Sequence, residues 1–112
     1  MTDYDYRHLD PLVHSRIRLS VLAILAAVED AEFTYLRGQV RATDGNLGAH
    51  LRRLEGAGYV RVHKGFVRRK PMTRYRITNA GRRAFAGYVD HLERLLNASA
   101  GDTPDRAGGL TE

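Results

Sequence analysis

The chain has 112 residues, of which 43% are apolar and 28% charged, the composition of one globular domain. It contains no cysteine, which excludes a disulfide framework, a thiolate metal site, an iron–sulfur cluster and a cysteine nucleophile. The longest apolar run, Val21–Val28, is too short to span a membrane, and the acidic start Met1–Asp5 is unlike a signal peptide. We therefore expect a cytoplasmic protein that has no membrane partner.

The basic residues are concentrated in the middle of the chain. The formal net charge is +5, but residues 37–83 alone contain thirteen basic and two acidic side chains. Sixteen of the 18 basic residues are arginine, whose planar guanidinium suits phosphate and guanine edges. A GC-rich genome would explain arginine in place of lysine, but not the clustering. This block of charge predicts a polyanionic partner, in the first place nucleic acid.

Two helices are predicted in the first part of the chain. Asp10-Pro11 is typical of a helix start, and apolar residues then recur at helical spacing over about residues 11–29. Ser15 is a candidate for a second start, with a kink, inside that span. Thr34 is predicted to cap a short second helix over Tyr35–Arg41.

A third helix is predicted over about residues 44–57, with Thr43 as its N-cap. Gly58 stands where a left-handed residue commonly ends a helix. One stripe of this helix carries apolar residues at helical spacing and is predicted to be buried: Leu47, Leu51 and Leu54.

An antiparallel hairpin is predicted next, because residues 59–63 and 72–77 alternate apolar and polar side chains. Between these strands, Gly65 opens a loop rich in Arg and Lys that Pro71 closes, which predicts a long basic tip. We expect two apolar side chains to pack beneath this tip, those of Phe66 and Val67.

A long last helix begins after Thr78, its predicted cap. The predicted fold is mainly α with a small β-hairpin (α+β), in the order α-α-α-β-β-α, which is the layout of a winged helix-turn-helix. We expect a flexible arm over residues 1–8, one DNA-binding and dimerisation domain over 9–97, and a disordered tail over 98–112.

Three segments carry a family resemblance: residues 9–19, 45–60 and 73–82. In that order they resemble the opening, the recognition helix with its exit into the wing, and the second wing strand of small bacterial winged-helix transcriptional regulators of the MarR/ArsR-like type. Two residues depart from the family pattern, Arg16 where proline is frequent and Gly48 where serine is more usual. The resemblance implies a protein that binds double-stranded DNA and regulates transcription.

The third helix and the hairpin are the candidate DNA contacts. Opposite its leucines, the helix offers small residues for close approach to the major groove and side chains that donate to base edges. The predicted contacts of the helix are Thr43, Gly45, Asn46, Ala49, His50, Arg52 and Arg53. The wing, about residues 64–72, is predicted to lie on the DNA backbone or in the minor groove. Its predicted contacts are Lys64, Arg68, Arg69 and Lys70, together with Arg74 in the return strand. In the alternative, these residues form a solvent-exposed charged surface that does not bind DNA.

The first and last helices carry more apolar residues than one small core needs. We therefore expect a homodimer whose twofold symmetry matches a palindromic DNA site. The predicted interface contains Leu12, Val13, Phe85, Tyr88, Val89, Leu92, Leu95 and Leu96. In the alternative, all of these residues belong to the core.

No catalytic residue or cofactor is predicted, because the chain has no glycine-rich phosphate loop, nucleophile motif or paired carboxylates in an apolar setting. Metal sensing is a minor alternative that would use the histidines, with Asp90 and Glu93 beside the last of them: His8, His14, His50, His63 and His91. Asp90 and His91 are adjacent on a helix and face different ways, so no metal site is predicted.

The leading prediction is a dimeric, sequence-specific repressor that acts by occluding a promoter. One alternative is a winged-helix protein-interaction or RNA-binding module without specificity for duplex DNA. Another alternative is a switch gated by a small-molecule effector. Its pocket would be lined by four tyrosines, Tyr4, Tyr6, Tyr35 and Tyr88. The same tyrosines also suit a core or an interface.

Overall fold

The structure, a computed structural model, describes residues 9–101. The elements follow the order α1 (Arg16–Ala27), β1 (Ala31–Glu32), α2 (Phe33–Val40), α3 (Asp44–Gly56), β2 (Val60–Val67), β3 (Lys70–Ile77) and α4 (Asn79–Gly101). This order confirms the predicted winged helix-turn-helix. Helix α4 continues past residue 97, where the predicted domain ends. The predicted arm, 1–8, and the remainder of the predicted tail, 102–112, lie outside the described residues.

Helix α1 begins later than predicted. Ser15 is extended, with φ of −154°, and its hydroxyl accepts a hydrogen bond from the Arg18 amide at 3.3 Å, so it is the N-cap. Ahead of it, the Asp10 carboxylate accepts from the Leu12 amide at 2.9 Å and holds a turn. The predicted start at Pro11 is therefore wrong, because the Asp10 side chain bonds locally in a turn that does not continue into the helix.

A two-residue strand, β1, was not predicted, because two residues are too few to show alternation. It pairs antiparallel with β3, with Ala31 opposite Tyr75, and this gives a three-stranded sheet of order β1-β3-β2. Helix α2 follows directly and has Glu32 as its N-cap. The predicted cap, Thr34, consequently lies inside the first turn of α2.

The two long strands form the wing, defined here as β2, β3 and the turn between them. Their pairing runs from Val60–Ile77 to Val67–Lys70, which leaves Arg68 and Arg69 as the whole turn. The predicted long tip is therefore wrong. Proline at position 71 is tolerated because β1 does not extend that far, so β3 has an open side there that needs no N–H donor.

The core lies between the helices and the inner face of the sheet. Its least exposed side chains are Val13, Val21, Leu22, Leu25, Leu36, Leu47, Leu51 and Leu54. The predicted burial of the leucine stripe on α3 is thus confirmed. At the far end of the wing, Phe66 is 75% exposed and Val67 44% exposed, so the prediction that they pack beneath the tip is wrong. The tip extends beyond the reach of the core.

Candidate nucleic-acid interface

The outward face of α3 follows from how this helix begins, packs and ends. The Thr43 hydroxyl accepts from the Asn46 amide at 3.1 Å, and Gly58, with φ of +80°, ends the helix. Because the leucine stripe faces the core, the opposite side is exposed and brings together most of the predicted contacts: Thr43, Gly45, Asn46, Ala49, Arg52 and Arg53. A Cβ built at Gly45 meets nothing within 4 Å, so the backbone there is open to close approach.

Helix α2 is tied to the start of α3 by an ion pair. The Arg37 guanidinium lies 3.0 Å from the Asp44 carboxylate, and both side chains are exposed. Asp44 also stands in the first turn of α3, where the helix dipole favours a negative charge. Arg37 was not assigned a role from the sequence, since a pair that joins two helices has no local spacing to reveal it.

His50 is placed differently from its neighbours on α3. It is half-buried, and its Nδ1 lies 2.8 Å from the Nη1 atom of Arg18 on α1. Burial, Arg18 and Arg53 together lower the pKa of the His50 imidazole. His50 therefore lies at the edge of the exposed face, in surroundings that favour its neutral form.

Arg18 is a functional candidate that sequence reasoning missed. Its side chain is only 5% exposed, and its Nε donates to the Leu12 carbonyl at 2.5 Å. Burial first, and then Arg53, lower the pKa of its guanidinium. The signal was present in the sequence, because Arg18 precedes the buried Val21 and Leu22 at helical spacing and so falls on the buried stripe of α1.

The tip of the wing carries exposed cations. Four of the predicted wing contacts lie on the last residues of β2, in the turn and on the first residue of β3: Lys64, Arg68, Arg69 and Lys70. Within residues 9–101, none of the four forms an ion pair. Arg68 and Arg69 have φ of +52° and +69°, in the left-handed region that non-glycine residues seldom occupy. Two arginines thus form the end of the wing in a costly backbone conformation.

Arg74, the fifth predicted wing contact, does not belong to the tip. Its guanidinium lies 2.8 Å from Asp30 and 3.8 Å from Glu32, next to β1. Its neighbour Tyr75 is buried in the core, so Arg74 projects from the outer face of the sheet. Arg74 therefore lies apart from the other four predicted wing contacts, and its contact with DNA stays a prediction. A cleft of about 360 Å³ on that face is lined by Asp30, Arg61, His63, Arg74 and Arg76.

The predicted dimer residues divide into three groups. Val13 is fully buried and Tyr88 is 6% exposed within the single chain, where the Tyr88 hydroxyl also lies 2.7 Å from His14. These two residues belong to the core, which removes them from the predicted interface. Leu96 is 60% exposed. Val89 is half-buried, and the others are half-buried against the core: Leu12, Phe85, Leu92 and Leu95.

Among the described residues, the side chains of the two alternative ligand sites, an effector pocket and a metal site, are not brought together. Tyr35 and Tyr88 line separate clefts, while Tyr4 and Tyr6 lie outside the described residues. Between residues 9 and 101, no group of three or more His, Asp or Glu side chains is placed to hold a metal ion. In the same span, no helix combines the length and the apolar character needed to cross a membrane.

Comparison with known proteins identifies relatives. A family model described as a winged helix DNA-binding domain matches residues 17–96. An uncharacterized protein of Methanocaldococcus jannaschii is 38% identical over 84 residues, which are 75% of this chain and 91% of that protein. The match to the family model extends from α1 into α4 and therefore includes both α3 and the wing.

Solved structures share the fold. A transcriptional regulator homologue from Pyrococcus horikoshii superimposes with a TM-score of 0.80 at 24% identity, over 88% of this chain and 97% of that one. A MarR-family regulator from Silicibacter pomeroyi gives a TM-score of 0.65 at 23% identity, over 94% and 70%. The regulator MOSR of M. tuberculosis, solved with DNA, gives 0.63 at 24% identity, over 94% and 77%. The fold thus occurs in archaeal and in bacterial proteins.

Proposed function

Because this chain belongs to the winged helix DNA-binding domain family, we propose that it binds double-stranded DNA sequence-specifically and regulates transcription. The observation that carries the proposal is the exposed face of α3, where Gly45 and Ala49 lie between longer polar side chains. Small residues let a helix approach the floor of the major groove, while amide and guanidinium groups bond to base edges.

In the proposed complex, α3 lies in the major groove. Asn46 and Arg53 contact base edges, and Arg52 contacts phosphate. The wing tip, with Arg68 and Arg69, lies on the backbone or in the minor groove of the same duplex. The unpaired cations of the tip support this arrangement, since no carboxylate in the described residues competes with phosphate for them.

We further propose that the protein acts as a homodimer and represses transcription by occluding a promoter. The partly exposed apolar residues of α4, from Leu92 to Leu96, support a twofold interface that the single chain leaves open. Two copies of α3 related by twofold symmetry would occupy successive major grooves of an inverted repeat. A dimer bound in this way at a promoter excludes polymerase from the same DNA. The regulator MOSR of M. tuberculosis, which shares this fold, was solved in complex with DNA, and this supports the proposal.

Selection of binding sites from fragmented host genomic DNA at about 150 mM salt tests the proposal, because random phosphate contacts are weak under those conditions. We expect enrichment of one inverted repeat near promoters. Arg53→Glu abolishes the enrichment, whereas Arg83→Glu on α4, an exposed arginine given the same charge change, retains it. Absence of enrichment from the folded wild-type protein contradicts the proposal and favours an RNA-binding or protein-interaction module.

Sedimentation of the free protein tests the dimer separately. We expect a dimer at micromolar concentration, and Leu96→Glu, which places a charge on an exposed large apolar side chain of α4, to give monomers. A wild-type monomer at this concentration contradicts the dimer while leaving DNA binding to be judged by the selection experiment.

A further inference from the structure

A buried contact between α1 and α3 joins the core to the edge of the proposed DNA-binding face. Arg18 donates from Nη1 to Nδ1 of His50 at 2.8 Å and from Nε to the Leu12 carbonyl at 2.5 Å. We propose that Arg18 is a positioning residue, which holds His50 as the neutral tautomer protonated on Nε2 and so makes it a fixed hydrogen-bond donor to DNA. This inference rests on the proposed function.

The tautomer follows from the chemistry of the pair. A guanidinium has only donors, so Nδ1 of His50 must supply a lone pair to Arg18. A neutral imidazole that accepts at Nδ1 carries its proton on Nε2. The guanidinium is itself held by a second acceptor, the Leu12 carbonyl, and it is almost fully buried. The imidazole therefore bonds to a partner that has little freedom to move.

The charges around His50 also favour its neutral form. The charged groups that act on it are Arg18, from α1, and Arg53, from α3 itself. Protonation of Nδ1 would break the hydrogen bond and place a third cation beside these two arginines. Burial, Arg18 and Arg53 all lower the pKa of His50 below its ordinary value, which favours the neutral form.

The position of His50 on α3 places this donor beside the proposed DNA contacts. His50 follows Asn46 by four residues and precedes Arg53 by three, so the three side chains are neighbours on one side of the helix. An Nε2–H donor bonds to phosphate oxygens or to guanine O6 and N7, but not to the amino groups of cytosine and adenine. His50 would thus favour DNA sites that present a hydrogen-bond acceptor next to the contacts of Asn46 and Arg53.

Nitrogen NMR of the histidine side chains in the free protein tests the tautomer without any DNA. We expect His50 to carry its proton on Nε2 and to stay neutral at pH values where exposed histidines are already protonated. In Arg18→Met, we expect the pKa of His50 to rise toward its ordinary value of about 6.5. A proton on Nδ1 in the wild type, or an unchanged titration in Arg18→Met, overturns the proposal.

A matched pair at position 50 tests the donor and does not depend on Arg18→Met folding. In His50→Gln, the amide nitrogen takes the place of Nε2, whereas in His50→Asn the amide oxygen takes the place of Nδ1. We expect His50→Gln to bind the selected DNA site nearly as well as wild type, and His50→Asn to bind it about tenfold more weakly, the effect of one lost hydrogen bond.

Equal losses of affinity in the two variants overturn the donor role. If the wild-type protein binds no duplex DNA, the proposed function and the donor role both fail, while the NMR titration still decides whether Arg18 sets the tautomer. The two failures are therefore distinguishable.

Discussion

A Cβ built at Gly81 would lie 2.1 Å from the carbonyl oxygen of Tyr59. The first turn of α4 therefore packs directly on the backbone where α3 passes into β2. Thr78 secures the same junction, because its amide donates to the Tyr59 carbonyl at 3.0 Å and its hydroxyl accepts from the Gly81 amide at 2.9 Å. Only glycine fits at position 81 without moving one of these elements.

Gly81→Ala is expected to lower the free energy of unfolding by about 3 kcal/mol, the upper range for overpacking against atoms that cannot yield. Gly87→Ala is the matched control on the same helix, because a Cβ there meets nothing within 4 Å. We expect it to stabilise the protein by up to about 1 kcal/mol through helix propensity. Urea denaturation of both variants measures the contrast, and a Gly81→Ala protein as stable as Gly87→Ala contradicts it.

The turn of the wing combines two positive charges with an unfavourable backbone conformation. Both of its residues, Arg68 and Arg69, have positive φ, whereas two-residue turns of this kind favour Asn-Gly. We expect the double variant Arg68→Asn/Arg69→Gly to raise the free energy of unfolding by about 2 kcal/mol, since each left-handed residue costs about 1 kcal/mol. Thermal denaturation measures the gain.

The same double variant is expected to weaken binding to any DNA and to reduce the slope of log K against log salt by about two, one for each lost phosphate contact. Fluorescence titrations at several salt concentrations measure the slope. A more stable protein with an unchanged slope would show that the tip lies away from the phosphates.

The sequence was sufficient to predict α3, because three signals agree there: the cap Thr43, the leucine stripe and Gly58. The strand β1 and the tight turn were missed for different physical reasons. A strand of two residues has no detectable period, and Arg-Arg does not resemble the residues that usually occupy a turn with positive φ. In both cases, pairing with β3 supplies a structure that local preferences do not specify.

The exposed face of the candidate site could be predicted from the sequence because it depends on one helix, whereas contacts that join several elements were missed. The exposed face of α3 follows from its buried stripe alone. The contact between Arg18 and His50 joins residues 32 positions apart, and the pair of Arg74 with Asp30 joins residues 44 positions apart. Spacing along the chain cannot indicate such pairs, because they arise from the way the helices pack on the sheet.

Arg74 is expected to matter for the sheet and not for DNA. Its pairing with Asp30 and Glu32 fastens β3 to the segment around β1, but both partners remain partly exposed. Arg74→Met is therefore expected to cost less than about 1 kcal/mol in the free energy of unfolding. Its salt slope for DNA binding stays that of the wild type, whereas Arg69→Ala lowers the slope by about one. A lower slope of log K against log salt in Arg74→Met would show that Arg74 contacts DNA phosphates.

Arg53 is expected to contribute to sequence preference. In Arg53→Ala, the affinity for the selected site falls by about 1–3 kcal/mol and the preference at one base pair relaxes, because a forked donor to a base edge is lost. Arg69→Ala weakens specific and random DNA alike. Competition binding with single-base variants of the site separates the two effects. Equal loss of specific and random affinity in Arg53→Ala would place this residue on phosphate.

His50 also makes stability depend on pH. Burial and the two neighbouring arginines lower its pKa in the folded protein, whereas in the unfolded chain it is about 6.5, so the unfolded state binds the proton first. The stability that His50 contributes is therefore complete above about pH 6.5 and is lost as the pH falls toward the lowered folded-state pKa. In His50→Gln this titration is absent. Urea denaturation between about pH 7.5 and 5 is expected to show wild type losing more stability than the variant, and parallel losses would mean that His50 titrates alike in both states.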